Sequence, residues 1–301
     1  MSTDSTSTTT SPTPKAGTVP AVVGVLGGGR MGAGIAHAFL ISGSRVTVVE
    51  RDPQAAESAQ ERIERDLATS LERGAIDGNL DVWAQNLTLS LDQADFAQCD
   101  LVIEAVPEDY DLKVSSLTSV ESHLRQDAWL ASNTSSLSID RIAGKLSRPE
   151  RFCGLHFFNP VPASKLVEIV NGEKTGQELR DLAVQWVAGI SKTPVSVNDA
   201  PGFASSRLGV ALGLEAIRMV EEGVSAPEDI DNAMVLGYKH PVGPLALNDI
   251  VGLDVRLGIA EYLASELGER FDPPQLMRDM VARGELGRKT GKGFYDYGEQ
   301  G

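Results

Sequence analysis

Over the first two-thirds of the chain, apolar residues fall in short runs, and most runs lead into a stretch with helical spacing. AVVGVLG (residues 21–27) is an apolar run ending in glycines, and a helix-like stretch follows it through Ala38 and Phe39. RVTVVE (residues 45–50) is rich in β-branched residues and reads as a second buried strand. From Pro53 to about Arg73 charged and apolar residues recur with helical period, and Asp52–Pro53 supplies the start. LTLS, DLVIEAV, AWLAS, CGLHFF, KLVEIV and TPVSV follow as strand candidates separated by helical or turn segments. Strands alternating with helices predict an α/β fold with a mainly parallel sheet and crossover helices. Beyond Asp199–Ala200–Pro201–Gly202 only helical periodicity remains, in SSRLGVALGLEAIRMVEEG, APEDIDNAMVLG, PLALNDIVGLDVRLGIAEYLASELG and PPQLMRDMVARGELG. The expected organisation is a tail over 1–19, an α/β domain over 20–200 and an all-helical C-terminal domain over 201–301.

Composition narrows the class. The opening MSTDSTSTTTSPTPKAGT is Ser, Thr and Pro with almost no apolar side chain, so a disordered tail is expected, and it lacks the apolar core of a signal peptide. No apolar run is long enough to span a bilayer. Cys99 and Cys153 form no CxxC pair and no metal-ligand spacing; both sit beside buried-strand patterns, as small buried hydrophobes do. A reducing cytoplasm is the expected setting. A formal charge of −15 argues against nucleic acid as a partner and requires a local basic or backbone-amide site for any phosphate-bearing ligand.

GVLGGGRMGAGIA contains Gly27-x-Gly29-x-x-Gly32. Alone, that pattern is a common tight loop. Here it follows an apolar strand, opens a helix at Arg30 and Met31, and precedes a second strand ending in Glu50, about twenty residues on. Gly27 would permit the turn, Gly29 would let backbone approach a pyrophosphate, and Gly32 would let helix and strand pack closely. The helix N-terminus would then present N–H groups to the diphosphate. Glu50 is placed to accept from the adenosine ribose hydroxyls, which favours NAD over NADP. Arg51 could accept a 2′-phosphate, or be a solvated surface residue.

Further along, His156 ends an apolar strand pattern and Glu168 lies between Val167 and Ile169 in another. A carboxylate inside an apolar strand needs a partner, and His156 would serve. Held by one ring nitrogen, an imidazole becomes a suitable base for the hydroxyl proton in alcohol oxidation. A structural His–Glu ion pair, or a satisfied core histidine, are the alternatives that the residues leave open.

GVLGGGRMGAGIA, DLVIEAVPED, ASNTSSLSI, GLHFFNPVPASKLVEIV, PGF-x-x-x-R, HPVGPLALNDIVGLD and LGRKTGKGFYDY occur in order from about Val22 to Tyr297. Together they resemble the 3-hydroxyacyl-CoA dehydrogenase family, including the bacterial 3-hydroxybutyryl-CoA dehydrogenases. The resemblance implies a Rossmann-like domain followed by helices that form a homodimer interface. It implies NAD as cofactor, an acyl-CoA thioester as substrate and the L-3-hydroxy isomer. By the same resemblance His156 is the general acid/base and Glu168 its orienting partner, while Ser135 bonds the substrate oxygen near the nicotinamide. Asn159, Glu108, Lys113 and Lys289 match residues of the cofactor pocket. Arg73 stands where family members place a basic residue for CoA phosphates, whereas Arg62 and Arg65 read as a solvated helix face. In one departure, PGFASSR places Ser206 where the family has an Asn contacting the substrate oxygen; Ser206 is expected to do that job directly or through a water. Two rival readings keep the scaffold: a dehydrogenase of a small free 3-hydroxy acid, and a non-catalytic, crystallin-like NAD-binding protein.

Overall fold

The structure is a computed structural model that describes residues 18–298, apart from the Val82 side chain; most of the tail expected to be disordered lies outside the described residues. Contacts divide the chain into two compact units, Met1–Thr134 with Ile139–Val197, and Ser135–Ser138 with Asn198–Gly301.

The first unit holds one eight-stranded sheet. Its strands are β1 (Val22–Leu26), β2 (Arg45–Val49), β3 (Leu87–Ser90), β4 (Leu101–Glu104), β5 (Trp129–Ser132), β6 (Phe152–Phe157), β7 (Leu166–Asn171) and β8 (Thr193–Asn198). They lie in the order β3-β2-β1-β4-β5-β6-β7-β8. Neighbours from β3 through β6 pair in parallel, and β7 runs antiparallel to β6. Every residue of β4, β5 and β6 is buried, as expected of parallel strands covered on both faces. At one edge β8 has no buried residue and carries Pro194, tolerable where a ladder hydrogen bond is not needed.

Six helices complete this unit: α1 (Arg30–Leu40), α2 (Pro53–Glu72), α3 (Leu80–Ala84), α4 (Tyr110–His123), α5 (Ile139–Ala143) and α6 (Gln177–Gly189). Helix α2 starts where the Asp52 carboxylate accepts the Ala55 N–H at 2.8 Å, and it buries Ala59, Ile63, Leu67 and Ser70, a stripe at helical spacing. Helix α4 starts the same way, with Asp109 accepting from Leu112 N–H at 2.8 Å. A Cβ at Gly34 of α1 would stand 2.7 Å from the Val161 side chain, so a glycine is required for α1 to approach that loop. Cys99 and Cys153 are buried free thiols, both pushed up to about 12 by burial.

The second unit is helical: α7 (Ser205–Glu221), α8 (Pro227–Tyr238), α9 (Pro244–Val251), α10 (Leu253–Leu267) and α11 (Gln275–Ala282). Its own core includes Leu214, Ile217, Leu245, Leu263 and Phe271. Two buried carboxylates fasten its final segment. Asp249 accepts the Phe294 and Tyr295 N–H groups, both at 3.0 Å, and the Tyr297 hydroxyl at 3.1 Å. Asp231 accepts the Leu245 and Ala246 N–H groups and the Tyr295 hydroxyl. Among the described residues, no helix is long and apolar enough to cross a membrane.

His37 of α1 is 2% exposed, with Nε2 2.8 Å from the Ser70 hydroxyl of α2. Burial, aided by the Lys192 charge, depresses this imidazole to about 4 from 6.5. The folded state therefore favours neutral His37. Its contribution is complete above 6.5 and is lost as pH falls from 6.5 towards 4. Between pH 7.5 and pH 5 that loss should be about 2 kcal/mol at 1.36 kcal/mol per pH unit. Urea unfolding at both pH values, compared with His37→Gln, should show the parent losing that much more; equal losses would refute the assignment.

Candidate active site

The order of strands reverses between β1 and β4, which opens a crevice at their C-terminal ends where α/β folds bind dinucleotides. The glycine turn closing β1 lies there. Gly27 adopts φ +90°, and a Cβ on it would approach the Ala105 carbonyl oxygen to 3.1 Å. A Cβ on Gly32 would fall 1.8 Å from the Gly27 carbonyl oxygen, so only glycine lets α1 begin this close to the turn. Gly29 differs: among the described residues nothing lies within 4 Å of its missing Cβ. It caps α1 and makes no side-chain hydrogen bond to the helix's first N–H groups, those that begin at Arg30 and Met31. The sequence reading gave no role to Gly28, yet its Cβ would meet Ala59 of α2 at 2.4 Å. The Gly28 N–H donates to Glu50 at 2.6 Å, so the acid ending β2 reaches back to the glycine turn. Arg51 is exposed and pairs with neighbouring Asp52 at 3.0 Å. An uncapped helix N-terminus, open space over Gly29 and an acid beside the turn together fit a dinucleotide.

Across the sheet, the antiparallel register of β6 and β7 places residue 156 directly opposite residue 168. Residues so opposed share a face, and His156 Nδ1 lies 2.9 Å from Glu168 Oε2. Glu168 is 1% exposed and the His156 side chain 8%, so this contact is shielded from water. With Nδ1–H donating to the carboxylate, a neutral ring carries its lone pair on Nε2. The ring also packs against Phe158, tilted by 42° with centroids 4.4 Å apart. Beside it, the Asn133 side-chain carbonyl accepts the Phe157 N–H at 2.8 Å, tying β6 to the end of β5. Lys192, buried and depressed by that burial, donates to the Val161 and Ser164 carbonyls at 2.6 Å and holds the loop joining β6 to β7. Neither Asn133 nor Lys192 stood out in the sequence, because an amide in SNTS and a lysine before TPVSV look like turn residues.

The other candidates are distributed between the units. Glu108 is exposed after β4, with its carboxylate accepting the Thr134 hydroxyl at 2.7 Å. Lys113, on α4, is only 1% exposed, and its ammonium meets Glu104 at 2.6 Å and Glu108 at 3.4 Å. Lys113 thus sits buried among carboxylates at the base of the loop that follows β4. Asn159 is exposed just past β6, and Arg73 is exposed at the C-terminal cap of α2. Within the second unit, Ser135 and Ser206 are half-buried, Ser206 being the second residue of α7. In the same unit the Ser138 hydroxyl donates to Asp199 at 2.7 Å, and Lys289 pairs with Asp254 at 2.6 Å.

Comparison with known proteins adds the deciding observation. The NAD binding domain of 3-hydroxyacyl-CoA dehydrogenase matches residues 22–200, and the C-terminal domain of the same enzyme matches residues 202–297. The chain belongs to the 3-hydroxyacyl-CoA dehydrogenase family. It is 37% identical over 275 residues to a 3-hydroxybutyryl-CoA dehydrogenase of Clostridioides difficile, covering 91% of this chain and 98% of that one. A Mycobacterium tuberculosis enzyme of the same description is 39% identical over 279 residues, again 91% and 98%. Among solved structures, the (S)-3-hydroxybutyryl-CoA dehydrogenase of Ralstonia eutropha superposes with a TM-score of 0.89 at 37% identity, covering 93% of this chain and 100% of that one. This member of the family is thus an oxidoreductase with a Rossmann-like first domain, a helical second domain and NAD as cofactor.

The glycine geometry separates two variants of this dehydrogenase. Gly32→Ala should lower both thermal stability and NADH affinity, because backbone must move. Gly29→Ala should leave the melting temperature unchanged and weaken NADH by about tenfold, because its methyl group meets only ligand. Thermal melts and NADH fluorescence titrations check both; a Gly29→Ala variant with parental affinity would place the diphosphate elsewhere.

Proposed function

We propose that the protein interconverts an L-3-hydroxyacyl-CoA of the 3-hydroxybutyryl type and its 3-keto thioester, with His156 and Glu168 as the acid/base pair. The juxtaposition of the two across the β6–β7 register, at 2.9 Å and shielded from water, carries this reading. The bound nicotinamide supplies the hydride chemistry. In oxidation His156 takes the C3 hydroxyl proton at Nε2 as hydride leaves C3, and in reduction it returns that proton. Glu168 fixes the ring through Nδ1 and stabilises the imidazolium that forms. Ser135 and Ser206 bond the substrate oxygen, Ser206 standing in for an amide with a shorter reach. Glu50 receives the adenosine ribose, Asn159, Glu108 and Lys289 line the cofactor pocket, and Arg73 meets a CoA phosphate.

The same proposal places the protein in the cytoplasm as a homodimer joined through its helical unit, with no nucleic-acid partner. The exposure of Leu208, Leu236 and Tyr238, at 71%, 69% and 74%, supports association through those helices. The net charge of −15 supports the absence of nucleic acid.

NADH oxidation with acetoacetyl-CoA, run beside free acetoacetate and NADPH, tests the reading. Turnover is expected with the thioester and NADH alone. His156→Ala should lower it by about a thousandfold, within the usual worth of a positioned acid/base group. Ser206→Ala should lower kcat by about a hundredfold, as for loss of a preorganised donor to the reacting oxygen. Turnover of free acetoacetate would favour the small-acid alternative, NADH binding without turnover would favour the non-catalytic one, and parental turnover in Ser206→Ala would remove that residue from the site.

A further inference from the structure

Arg256, on α10, is 8% exposed, and its Nε is buried without a hydrogen-bond partner. Burial depresses its guanidinium, and among the described residues no carboxylate opposes that. The buried lysines differ: Lys113 meets carboxylates, and Lys192 donates to two carbonyls. A charge held out of water without a partner is costly, and an apolar side chain of similar length would remove the cost. The neighbouring helix is nevertheless shaped around this guanidinium. A Cβ on Gly209 of α7 would stand 3.1 Å from Nη1 and 3.6 Å from Nη2 of Arg256. One turn on, a Cβ on Gly213 would stand 2.7 Å from Oδ1 of Asn248, itself 2% exposed. Glycine is the weakest helix former after proline, so two on one face of α7 mark a face cut to admit polar side chains. Arg256 and Asn248 also border a narrow gap with Val210, Leu214, Ile217 and Met277, whose side chains carry no anion. Gly209 is only half-buried, so the Nη1–Nη2 edge meets α7 at a notch rather than in the closed core.

We propose that Arg256 is a specificity-determining residue for the acyl group, and that the preferred substrate carries a second carboxylate at the far end of that group. This rests on the proposed reaction, in which Ser206 meets the oxygen on C3. Ser206 and Gly209 are three residues apart on α7 and share one face, about 4.5 Å apart along the axis. Three carbon–carbon bonds beyond C3 span roughly 4 Å, so a carboxylate at that point reaches the Arg256 fork while the C3 oxygen stays on Ser206. The guanidinium suits such a ligand, because its planar N–H groups take both oxygens of one carboxylate. A chain with a net charge of −15 repels a doubly acidic acyl group at long range, so a local cation is needed to hold one. An acyl group ending in methyl leaves the guanidinium buried and unpaired. The substrate class is thus the CoA monothioester of a 3-hydroxy dicarboxylic acid of about six carbons. Acetoacetyl-CoA, which has the reacting carbons without the distal carboxylate, is a slower substrate of the same site.

NADH oxidation with 3-oxohexanedioyl-CoA, 3-oxohexanoyl-CoA and acetoacetyl-CoA tests this in the parent, Arg256→Met, Arg256→Lys and Gly209→Ala, with a thermal melt of each protein. The parent should favour the dicarboxylic thioester over 3-oxohexanoyl-CoA, its equal in carbon number, by about thirtyfold in kcat/KM, as a hydrogen-bonded charge pair allows. Arg256→Met should lose that preference, mostly through a higher KM for the dicarboxylic thioester. It should melt no lower than the parent, because it removes a charge that the free protein leaves unpaired. Arg256→Lys should keep only part of the preference, being a point charge without the fork. Gly209→Ala, whose methyl group crowds Nη1, should reduce the preference as well. An Arg256→Met variant that melts below the parent and loses both six-carbon thioesters in equal proportion would reduce Arg256 to a structural role and overturn the proposal. A parent that turns over acetoacetyl-CoA yet shows no preference for the dicarboxylic thioester defeats only this inference. A parent that turns over no thioester defeats the proposed reaction, and this inference with it.

Discussion

A carboxylate taken out of water must recover its lost hydration from donors inside the protein. Among the described residues five acids are buried, Glu104, Glu121, Glu168, Asp231 and Asp249, and each is met. Glu121 accepts the Ser147 and Arg148 N–H groups and fastens the far end of α4 to the segment before β6. Glu168 takes the imidazole, Glu104 takes the crevice loop, and Asp231 with Asp249 take the final aromatic segment. In each case the acid is on a regular element and its donors lie on a different loop, strand or helix. Apolar packing fills the core, and these acids fasten neighbouring elements and the loops beside them.

That division explains which parts of the protein could be read from its sequence. The strands and helices rest on periodicity, and runs such as RVTVVE and DLVIEAV announce buried strands without any knowledge of their neighbours. The short glycine pattern was legible because close approach of backbone admits one residue type. The juxtaposition of His156 with Glu168 was legible because an acid in an apolar strand demands a partner, and a histidine stood one strand away. Glu104 escaped notice although it makes the same demand. Its partner is nine residues on, at the first turn of α4, and no periodicity links a strand end to a helix start. Lys113 was for the same reason read by its motif rather than by its burial. The direction of β7 was also left unread: only eight residues separate Phe157 from Leu166, too short a span for a crossover helix.

The grouping of Ser135–Ser138 with the helical unit is a different kind of omission. These residues begin three positions after the end of β5 and lead straight into α5, so linear order assigns them to the sheet. Their contacts, including the Ser138 hydroxyl on Asp199, assign them to the other unit. Chain order and spatial grouping part company wherever a loop is longer than the turn it replaces, and hydrophobic pattern carries no signal in such polar stretches. SNTSSLS is polar throughout except for one leucine.

Both cysteines of the chain lie in the sheet-bearing unit, one at the entrance to β4 and one within β6, and the helical unit has none. Their thiols are inaccessible and almost wholly protonated while the sheet is closed. Alkylation of either one therefore counts openings of the sheet, and it is blind to fraying of the helices. The protein carries its own site-specific recorder of breathing motions in one unit, readable by mass spectrometry without an engineered label.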